Sequence, residues 1–312
     1  MIPWVVLLQA SLTIAVAGPA TSPEYLPLQV AQAEGHFAAQ KLTVTLRSMR
    51  SDADAAQTLA SGQAHLSATS LDAALRLGGV DGVPPRLVWG LTAAPPVALL
   101  VNPARSGTIR SAADLVGQAV AVPAPGTAED QVLTLLLARA GVPIHRVTLR
   151  SLGERGAVQA LERGEVAAAV LAEPYVSRLV EEGKAVVAVD LRTAKDAAEH
   201  LGGPTVNAAL FARAVAPPEA ATLRAVVAAL QAAVARLIAA EPAALEASLP
   251  TAVIGSSADF ALRLRGARDL FVGGRVSVEA LERSIALVRS RAPLPAKVKL
   301  PRRAEQLLLP LE

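Results

Sequence analysis

The first two thirds of the chain alternate between strand-like and helix-like segments. In residues 42–47 (LTVTLR), apolar and polar side chains alternate with the period of two that is typical of a strand. Residues 25–34 (YLPLQVAQAE) and 52–61 are helix-like instead, and a glycine, which readily ends a helix in the left-handed conformation, follows each of them. This alternation predicts parallel β-α-β units with right-handed crossovers.

A second run of the same kind follows residues 102–103. A strand at 118–122 leads through the turn PAPG into a helix that opens at Thr127. Further strands are predicted at 146–151, 167–171, 185–190 and 206–211. After residue 218 the pattern changes, because apolar positions recur at helical spacing. Helices are predicted there at 220–240, 243–249, 258–271 and 278–289.

Composition narrows the function classes. The 312 residues are 52% hydrophobic and only 3% aromatic, which suits helices packed on buried, mostly parallel sheets. The 30 basic and 27 acidic residues nearly balance, and the only compact basic cluster lies at 297–303, so nucleic-acid binding is not expected. The absence of cysteine excludes disulfides, thiolate metal sites and cysteine nucleophiles.

Residues 1–10 (MIPWVVLLQA) are apolar and uncharged. They match the second half of a secretory signal, with residues 8–10 as a loose cleavage site, although the basic start of such a signal is missing. The alternative is an ordinary buried first strand. We predict a truncated signal remnant and therefore a secreted, periplasmic protein.

Three blocks of sequence carry a family resemblance. The first joins SPEYLPLQVAQAEGHF to QTLASGQAHLSATS, the second is DLVGQAVAVPAPGTAEDQVLTLLLARAGV, and the third is ALERGEVAAAVLAEPYVSRLVEEGK. In their order and spacing over residues 11–211, they resemble the nitrate/sulfonate/taurine-type solute-binding proteins of ABC transporters. The resemblance is specific to this fold family and not to one ligand.

The resemblance implies an α/β, two-lobed periplasmic-binding-protein-like fold of type II. Each lobe would be a mostly parallel sheet flanked by helices, with the ligand cleft between the lobes. Residues 11–100 would form the first part of lobe 1 and residues 101–206 would form lobe 2. Residues 207–312 would return to lobe 1 and supply the C-terminal helices.

The resemblance also implies a function in transport. The protein would capture a small polar organic molecule and deliver it to an ABC permease with its ATPase, as a monomer that needs no cofactor and is not an enzyme. The alternative is an enzyme on the same fold, similar to a lyase or hydrolase of menaquinone biosynthesis. Relatives that make the thiamine pyrimidine are disfavoured, because their cysteine-rich motif cannot exist in this chain.

Ligands of open α/β sheets bind beyond the carboxyl ends of the strands, and this rule selects the candidate loops. After the first strand, Ser22, Glu24 and Tyr25 offer a hydroxyl, a carboxylate and a phenol. Thr69 and Ser70 follow another strand and open a helix, whose free N–H groups attract polar oxygens. The alternative interpretation of both loops is simple helix capping.

Lobe 2 offers two corresponding loops. Gly126, after Pro125, would let the backbone approach a ligand closely, and Thr127 would cap the next helix while its N–H groups point outward. Glu173 and Tyr175 follow a later strand, where the carboxylate would accept a hydrogen bond and the ring would stack on the ligand. The alternative is a charge at a helix N-terminus and a ring packed between the lobes.

Asn207 is a weaker candidate for ligand binding, and Trp89 is more simply a core residue. The four histidines lack the spacing of metal ligands, so no metal site is predicted. Four carboxylates are expected near the cleft: Glu24, Glu129, Asp130 and Glu173. Because no arginine clamp accompanies them, the sequence favours a neutral or amine-bearing polar molecule over nitrate or a simple sulfonate.

Overall fold

The computed structural model describes residues 10–311, and these residues contain ten β-strands. The predicted signal remnant lies outside the described residues, except for Ala10, with which the first strand begins. The strands, in chain order, are β1 (Ala10–Val16), β2 (Leu42–Ser48), β3 (Leu66–Ser70), β4 (Arg86–Gly90), β5 (Val97–Val101), β6 (Ala119–Val122), β7 (Thr148–Ser151), β8 (Ala168–Ala172), β9 (Val186–Asp190) and β10 (Ala208–Ala212).

Two five-stranded sheets form the two lobes. The strand order is β2-β1-β3-β10-β4 in lobe 1 and β7-β6-β8-β5-β9 in lobe 2. In lobe 1, β10 runs antiparallel to both of its neighbours, and in lobe 2, β5 does the same, so four strands of each sheet share one direction. This arrangement confirms the predicted α/β fold of two lobes with mostly parallel sheets.

The central strands explain the apolar runs in the sequence. All five residues of β5 are buried, because helices cover both faces of the sheet at its centre. At the edge of lobe 1, β2 instead alternates between buried Leu42 and Val44 and exposed Thr43 and Thr45. The position of a strand in the sheet therefore decides whether its sequence is apolar throughout or alternates between apolar and polar residues.

Thirteen α-helices flank these sheets within residues 10–311. Six of them start at a serine or threonine whose hydroxyl accepts a first-turn N–H, which satisfies a donor that the helix itself cannot. The helices are α1 (Leu26–Ala33), α2 (His36–Ala39), α3 (Asp52–Ala60), α4 (Leu71–Leu77), α5 (Ala128–Arg139), α6 (Gly153–Glu162), α7 (Tyr175–Glu181), α8 (Ala194–Leu201), α9 (Ala220–Ala239), α10 (Pro242–Glu246), α11 (Thr251–Ile254), α12 (Ser257–Ala267) and α13 (Val278–Arg291).

Two crossing segments, residues 91–96 and 202–207, connect the lobes and lie side by side. The Asn207 amide donates to the Thr92 carbonyl at 2.9 Å, and the Thr205 hydroxyl donates to the Ala93 carbonyl at 2.8 Å. The chain enters the second sheet at Val97, so lobe 2 begins a few residues before the predicted boundary at residue 101.

Helix α9 is long and apolar enough to cross a membrane by composition, the single such helix in the part of the chain that the structure describes. It packs against α1 and α2 and buries a stripe that includes Leu223, Leu230 and Leu237. Its apolar character therefore serves the core of lobe 1.

The C-terminal region supports both lobes. Helix α13 packs against α4 of lobe 1 and α5 of lobe 2. The segment after it runs beside β4, where the Leu309 amide donates to the Leu87 carbonyl at 2.8 Å. The basic side chains at 297–303 are exposed on this segment. The tail thus covers the edge of the lobe 1 sheet.

Candidate functional site

Polar loops from both lobes meet where parallel strands end. In lobe 1 these loops follow β1, β2 and β3, and in lobe 2 they follow β6, β7 and β8. Each loop leads into a helix whose first N–H groups have no partner within the helix. The carboxyl ends of the strands therefore face a cleft between the lobes, as the rule for open α/β sheets predicts.

Asp52 organises the lobe 1 side of the cleft. Its Oδ1 accepts hydrogen bonds from the Tyr25 hydroxyl at 2.7 Å, the Ser70 amide at 2.7 Å and the Thr69 hydroxyl at 3.0 Å. Three of the predicted site residues are thus brought together by a residue that the sequence analysis did not select. The available signal was an acidic residue in the first turn after β2, beside β1 in the sheet.

Glu24 lies next to this cluster, and its carboxyl group has an unusually high pKa. Its Oε1 accepts a hydrogen bond from Asn207 Nδ2 at 2.5 Å, and the Ser22 hydroxyl lies 3.4 Å from its Oε2. Burial, followed by repulsion from the negative charges of Asp52 and Glu129, raises the pKa of Glu24 to about 8. The carboxyl is therefore largely protonated at neutral pH in the ligand-free protein.

Glu129 is the corresponding carboxyl of lobe 2. It lies in the first turn of α5, is buried, and has its pKa raised by desolvation, with smaller contributions from Glu154 and Asp130. Asn207, which binds Glu24, and Ala128, which precedes Glu129, line the same cavity, so the two glutamates approach each other from the two lobes. The Tyr175 hydroxyl lies 3.4 Å from Glu154 Oε2, so this predicted residue joins the same side of the cleft.

The loop at residues 125–127 is held mainly by its own helix. The Gly126 amide donates to Asp130 Oδ2 at 2.8 Å, and the Thr127 hydroxyl donates to the Ala124 carbonyl at 3.0 Å. Gly126 has a φ of +80° and is exposed, as is Pro125, and a Cβ at Gly126 would meet nothing within 4 Å. The glycine is thus required by the turn, and its contact with a ligand stays a prediction.

Glu173 is already paired within lobe 2. Its Oε1 contacts Arg192 Nη1 at 2.5 Å and accepts from the Ser177 hydroxyl at 2.8 Å, and its Oε2 accepts from the Ser177 amide at 3.1 Å. The side chain also abuts Gly266 of α12, where a Cβ would lie 2.6 Å from Glu173 Cγ. The structure therefore gives Glu173 partners at the lobe interface, and a contact with the ligand stays a prediction.

Ion pairs join the lobes beside this contact. Arg178 of α7 pairs with Asp259 of α12, and Arg265 of α12 lies 3.5 Å from Glu181 of α7. Within residues 10–311, no three histidine, aspartate or glutamate side chains come together as a metal site.

Comparison with known proteins places the chain in a family. The sequence profile described as NMT1/THI5 like matches residues 22–244. The chain belongs to the NMT1/THI5-like family. No curated protein matches the chain by sequence.

Solved structures share the fold of this family member along most of its length. A protein from Bordetella bronchiseptica RB50 superposes with a TM-score of 0.70 at 23% identity, over 96% of each chain. The alkanesulfonate-binding protein SsuA from Xanthomonas axonopodis pv. citri, bound to MOPS, gives 0.67 at 19% identity over 96% of this chain and 98% of its own. The periplasmic nitrate-binding protein NrtA from Synechocystis PCC 6803 gives 0.55 at 13% identity, over 83% and 69%. The resemblance to binding proteins of ABC systems is confirmed at the level of fold.

An apolar cavity of about 100 Å³ adjoins the cleft of this family member. Its walls come from α4, α5, α13 and the two crossing segments, and they include Asn207, which also binds Glu24, and Ala128, which precedes Glu129. A volume of this size holds several water molecules or a small apolar group, since one water needs about 10–15 Å³ by the same measure. The cleft thus combines a carboxylate-rich part with an apolar part.

Replacing Tyr25 with phenylalanine is expected to lower the free energy of unfolding by about 1.5–3 kcal/mol, because it removes a buried hydrogen bond to a carboxylate. Urea denaturation followed by circular dichroism measures this loss. The chain has one other tyrosine, Tyr175, whose hydroxyl makes only a long contact in an exposed setting. Tyr175→Phe should therefore be nearly neutral, and equal losses in the two variants would contradict the role given to Asp52.

Proposed function

We propose that this chain is the secreted solute-binding component of an ABC importer. It captures a small polar organic molecule between its lobes and delivers it to a membrane permease that works with an ATPase. The proposal is supported by the family, by the shared fold and by the polar cleft. It places the working protein in the periplasm, as a monomer.

The observation that carries the proposal is the facing pair of carboxyl groups. Glu24 belongs to lobe 1 and Glu129 to lobe 2, and the residues that hold or precede them, Asn207 and Ala128, line one cavity between the lobes. A molecule held between them contacts both lobes at once. Such a molecule stabilises the closed arrangement over the open one, which is how ligand binding drives hinge closure.

The partners are inferred from the structural neighbours. SsuA is described as a sulfonate-binding protein and NrtA as a nitrate-binding protein, both periplasmic. At these identities the shared fold supports the class of function and leaves the solute to be determined from this chain's own cleft.

Solute capture is tested directly on the purified protein. It is incubated with a metabolite extract, washed, and denatured, and the released molecules are analysed by mass spectrometry. We expect one small molecule per protein chain, released with unchanged mass, and a smaller radius of gyration by X-ray scattering when it is bound. Absence of any bound solute would contradict the proposal.

Asn207→Ala is expected to weaken binding of that solute tenfold or more, because the amide positions Glu24 at the meeting point of the lobes. Titration calorimetry measures the affinity, and circular dichroism verifies the fold. Asn102 is the only other asparagine in the chain and lies in lobe 2, bonded to the Leu161 carbonyl. Asn102→Ala should bind normally, so a parallel loss in both variants would argue against a site at the cleft.

One observation favours an enzyme as the second candidate. A carboxyl with a pKa near 8, as in Glu24, is a feature of groups that transfer protons in catalysis. A lyase or hydrolase similar to those of menaquinone biosynthesis would use it in this way. Conversion of the bound solute on long incubation, abolished in Glu24→Gln, would replace transport with catalysis as the function.

A further inference from the structure

Two glutamates among the described residues are less than a tenth exposed, and they differ in their partners. Glu173, 6% exposed, has Arg192 at 2.5 Å. Glu129, 8% exposed, forms no ion pair, and its polar neighbours are its own amide and the Thr127 hydroxyl at the start of α5. Buried carboxylates are normally paired with a cation, so Glu129 is the exception that needs a physical reason.

The groups around Glu129 make its lack of a cation more unfavourable. Glu24 approaches it from lobe 1, and Glu154 and Asp130 lie near it in lobe 2. Among residues 10–311, neither Glu24 nor Asp52 forms an ion pair either, and both are held by neutral donors such as Asn207 and Tyr25. The cleft thus holds carboxyl groups that have no basic partner among the described residues, and below about pH 8 Glu24 is kept neutral by a proton instead.

A solute can supply the positive charge that these carboxyl groups lack as a partner. A cation placed between Glu24 and Glu129 would be attracted by both, and the attraction is strong because little water separates the groups. A sulfonate or nitrate in the same place would be repelled by the ionised form of the same carboxyl groups. Charge therefore selects between ligand classes that the fold alone does not distinguish.

The adjoining cavity indicates what the cation is attached to. Its walls include Leu71, Val132, Leu135 and Leu287 together with the Asp72–Arg291 ion pair, whose charges offset each other. Asn207, which binds Glu24, and Ala128, which precedes Glu129, also line it. An apolar group would lose contact with water there, which is favourable. The site therefore suits a charged donor group on a small apolar body.

We propose that the solute is an organic cation, with its ammonium, amidinium or guanidinium group between Glu24 and Glu129 and its apolar body in the cavity between the lobes. This inference rests on the proposed function of solute capture and specifies the chemical class of the solute. It requires no covalent step.

The test uses two sets of probes, one with a butyl chain and one with a benzene ring. Within each set the shape is similar and the charge differs. Butylamine and benzamidine are the cations, butanol and benzamide are their neutral counterparts, and butanesulfonate and benzoate are anions. We expect titration calorimetry at pH 8.5 to give at least tenfold tighter binding for one of the cations than for its neutral counterpart. We expect Glu129→Gln and, independently, Glu24→Gln to remove that preference.

A matched control separates the cleft from general charge. Glu165→Gln makes the same chemical change at an exposed position of lobe 2, where the ion pair with Arg163 spans 3.7 Å in solvent. It should leave the preference for cations intact. Circular dichroism melting of all three variants verifies that the proteins are folded.

The pH dependence gives a second readout. Glu24 is mostly protonated below about pH 8, and a cation favours its ionised form. Amines of this kind stay charged up to about pH 10. Binding of the cation should therefore strengthen between pH 6.5 and pH 9 and release a proton, which calorimetry in buffers of different ionisation enthalpy detects. In Glu24→Gln this dependence should be lost.

The outcomes distinguish this inference from the proposed function. A neutral probe that binds as tightly as its cation, or an anion that binds best, would overturn the organic cation and leave solute capture standing. Binding of none of the probes, together with no solute from the metabolite extract, would count against both. A cation preference that survives both Gln variants would also overturn the placement between Glu24 and Glu129.

Discussion

Arg192→Met is expected to lower the free energy of unfolding by about 3–5 kcal/mol, because it leaves the buried Glu173 carboxylate without its cation. Arg192 also contacts Asp190 through Nε at 2.9 Å and Nη2 at 2.7 Å. Although burial opposes it, hydrogen bonding to Arg192 keeps the pKa of Asp190 below its usual value. One substitution thus removes the partner of two carboxylates in lobe 2.

Urea denaturation at pH 7 measures this loss, and the chain provides a matched control. Arg265 pairs with Glu181 at 3.5 Å, but the side chains are 70% and 59% exposed, so water already screens the pair. Arg265→Met should cost less than about 1 kcal/mol. In the double variant Arg192→Met, Glu173→Gln, part of the lost stability should return, because the unpaired charge is gone. Similar losses for the two arginine variants would contradict this account.

The second large effect is a decline in stability of the ligand-free protein as the pH rises. The folded-state pKa of Glu24 is about 8, well above the usual 4.5. Between these values the carboxyl is protonated in the folded protein and ionised in the unfolded chain, so unfolding releases a proton. The stability from this group is fully present below about pH 4.5, falls by up to about 1.4 kcal/mol per pH unit, and is lost above pH 8.

Because Glu24 keeps some access to water, we expect a total change of roughly 2–3 kcal/mol between pH 5 and pH 9. Urea denaturation at pH 5, 7 and 9 measures it as the difference between the wild type and Glu24→Gln, which cancels the titration of other groups. Glu165→Gln, an exposed change of the same kind, should follow the wild type. Parallel curves for Glu24→Gln and the wild type would show that the carboxyl is not perturbed.

The sequence analysis succeeded where structure depends on local pattern. The strand predicted at 185–190 is found at Val186–Asp190, because an apolar run between polar segments has few alternatives. It missed α2, which has only four residues, and α8, half of whose residues are polar. It also predicted one helix at 243–249, whereas α10 ends at Glu246 and α11 begins after Pro250, because proline cannot continue a helix.

Within the candidate site, the sequence indicated which residues lie at strand ends but did not indicate their hydrogen-bond and ion-pair partners. The rule that ligands bind beyond strand ends selected Tyr25 and Thr69, which the structure brings together, while their contact with a ligand stays a prediction. It did not select Asp52, which joins Tyr25 to Thr69, since nothing in the local pattern distinguishes it from a residue that caps α3. The pairing of Glu173 with Arg192 was equally hidden.

The sequence by itself determined the α/β class, the two runs of strands and helices, and the polar residues at the strand ends. These follow from periodicity, glycine and proline placement, and capping, which act between residues close in the chain. Only the tertiary structure decided which carboxylates are neutralised. Asn207 meets Glu24 across 183 residues, and Asn207 shares a cavity with Ala128, the neighbour of Glu129 in the other lobe, because strand order and lobe packing bring them together. Burial and charge at the cleft therefore belong to the folded arrangement, and they carry the proposal for the solute.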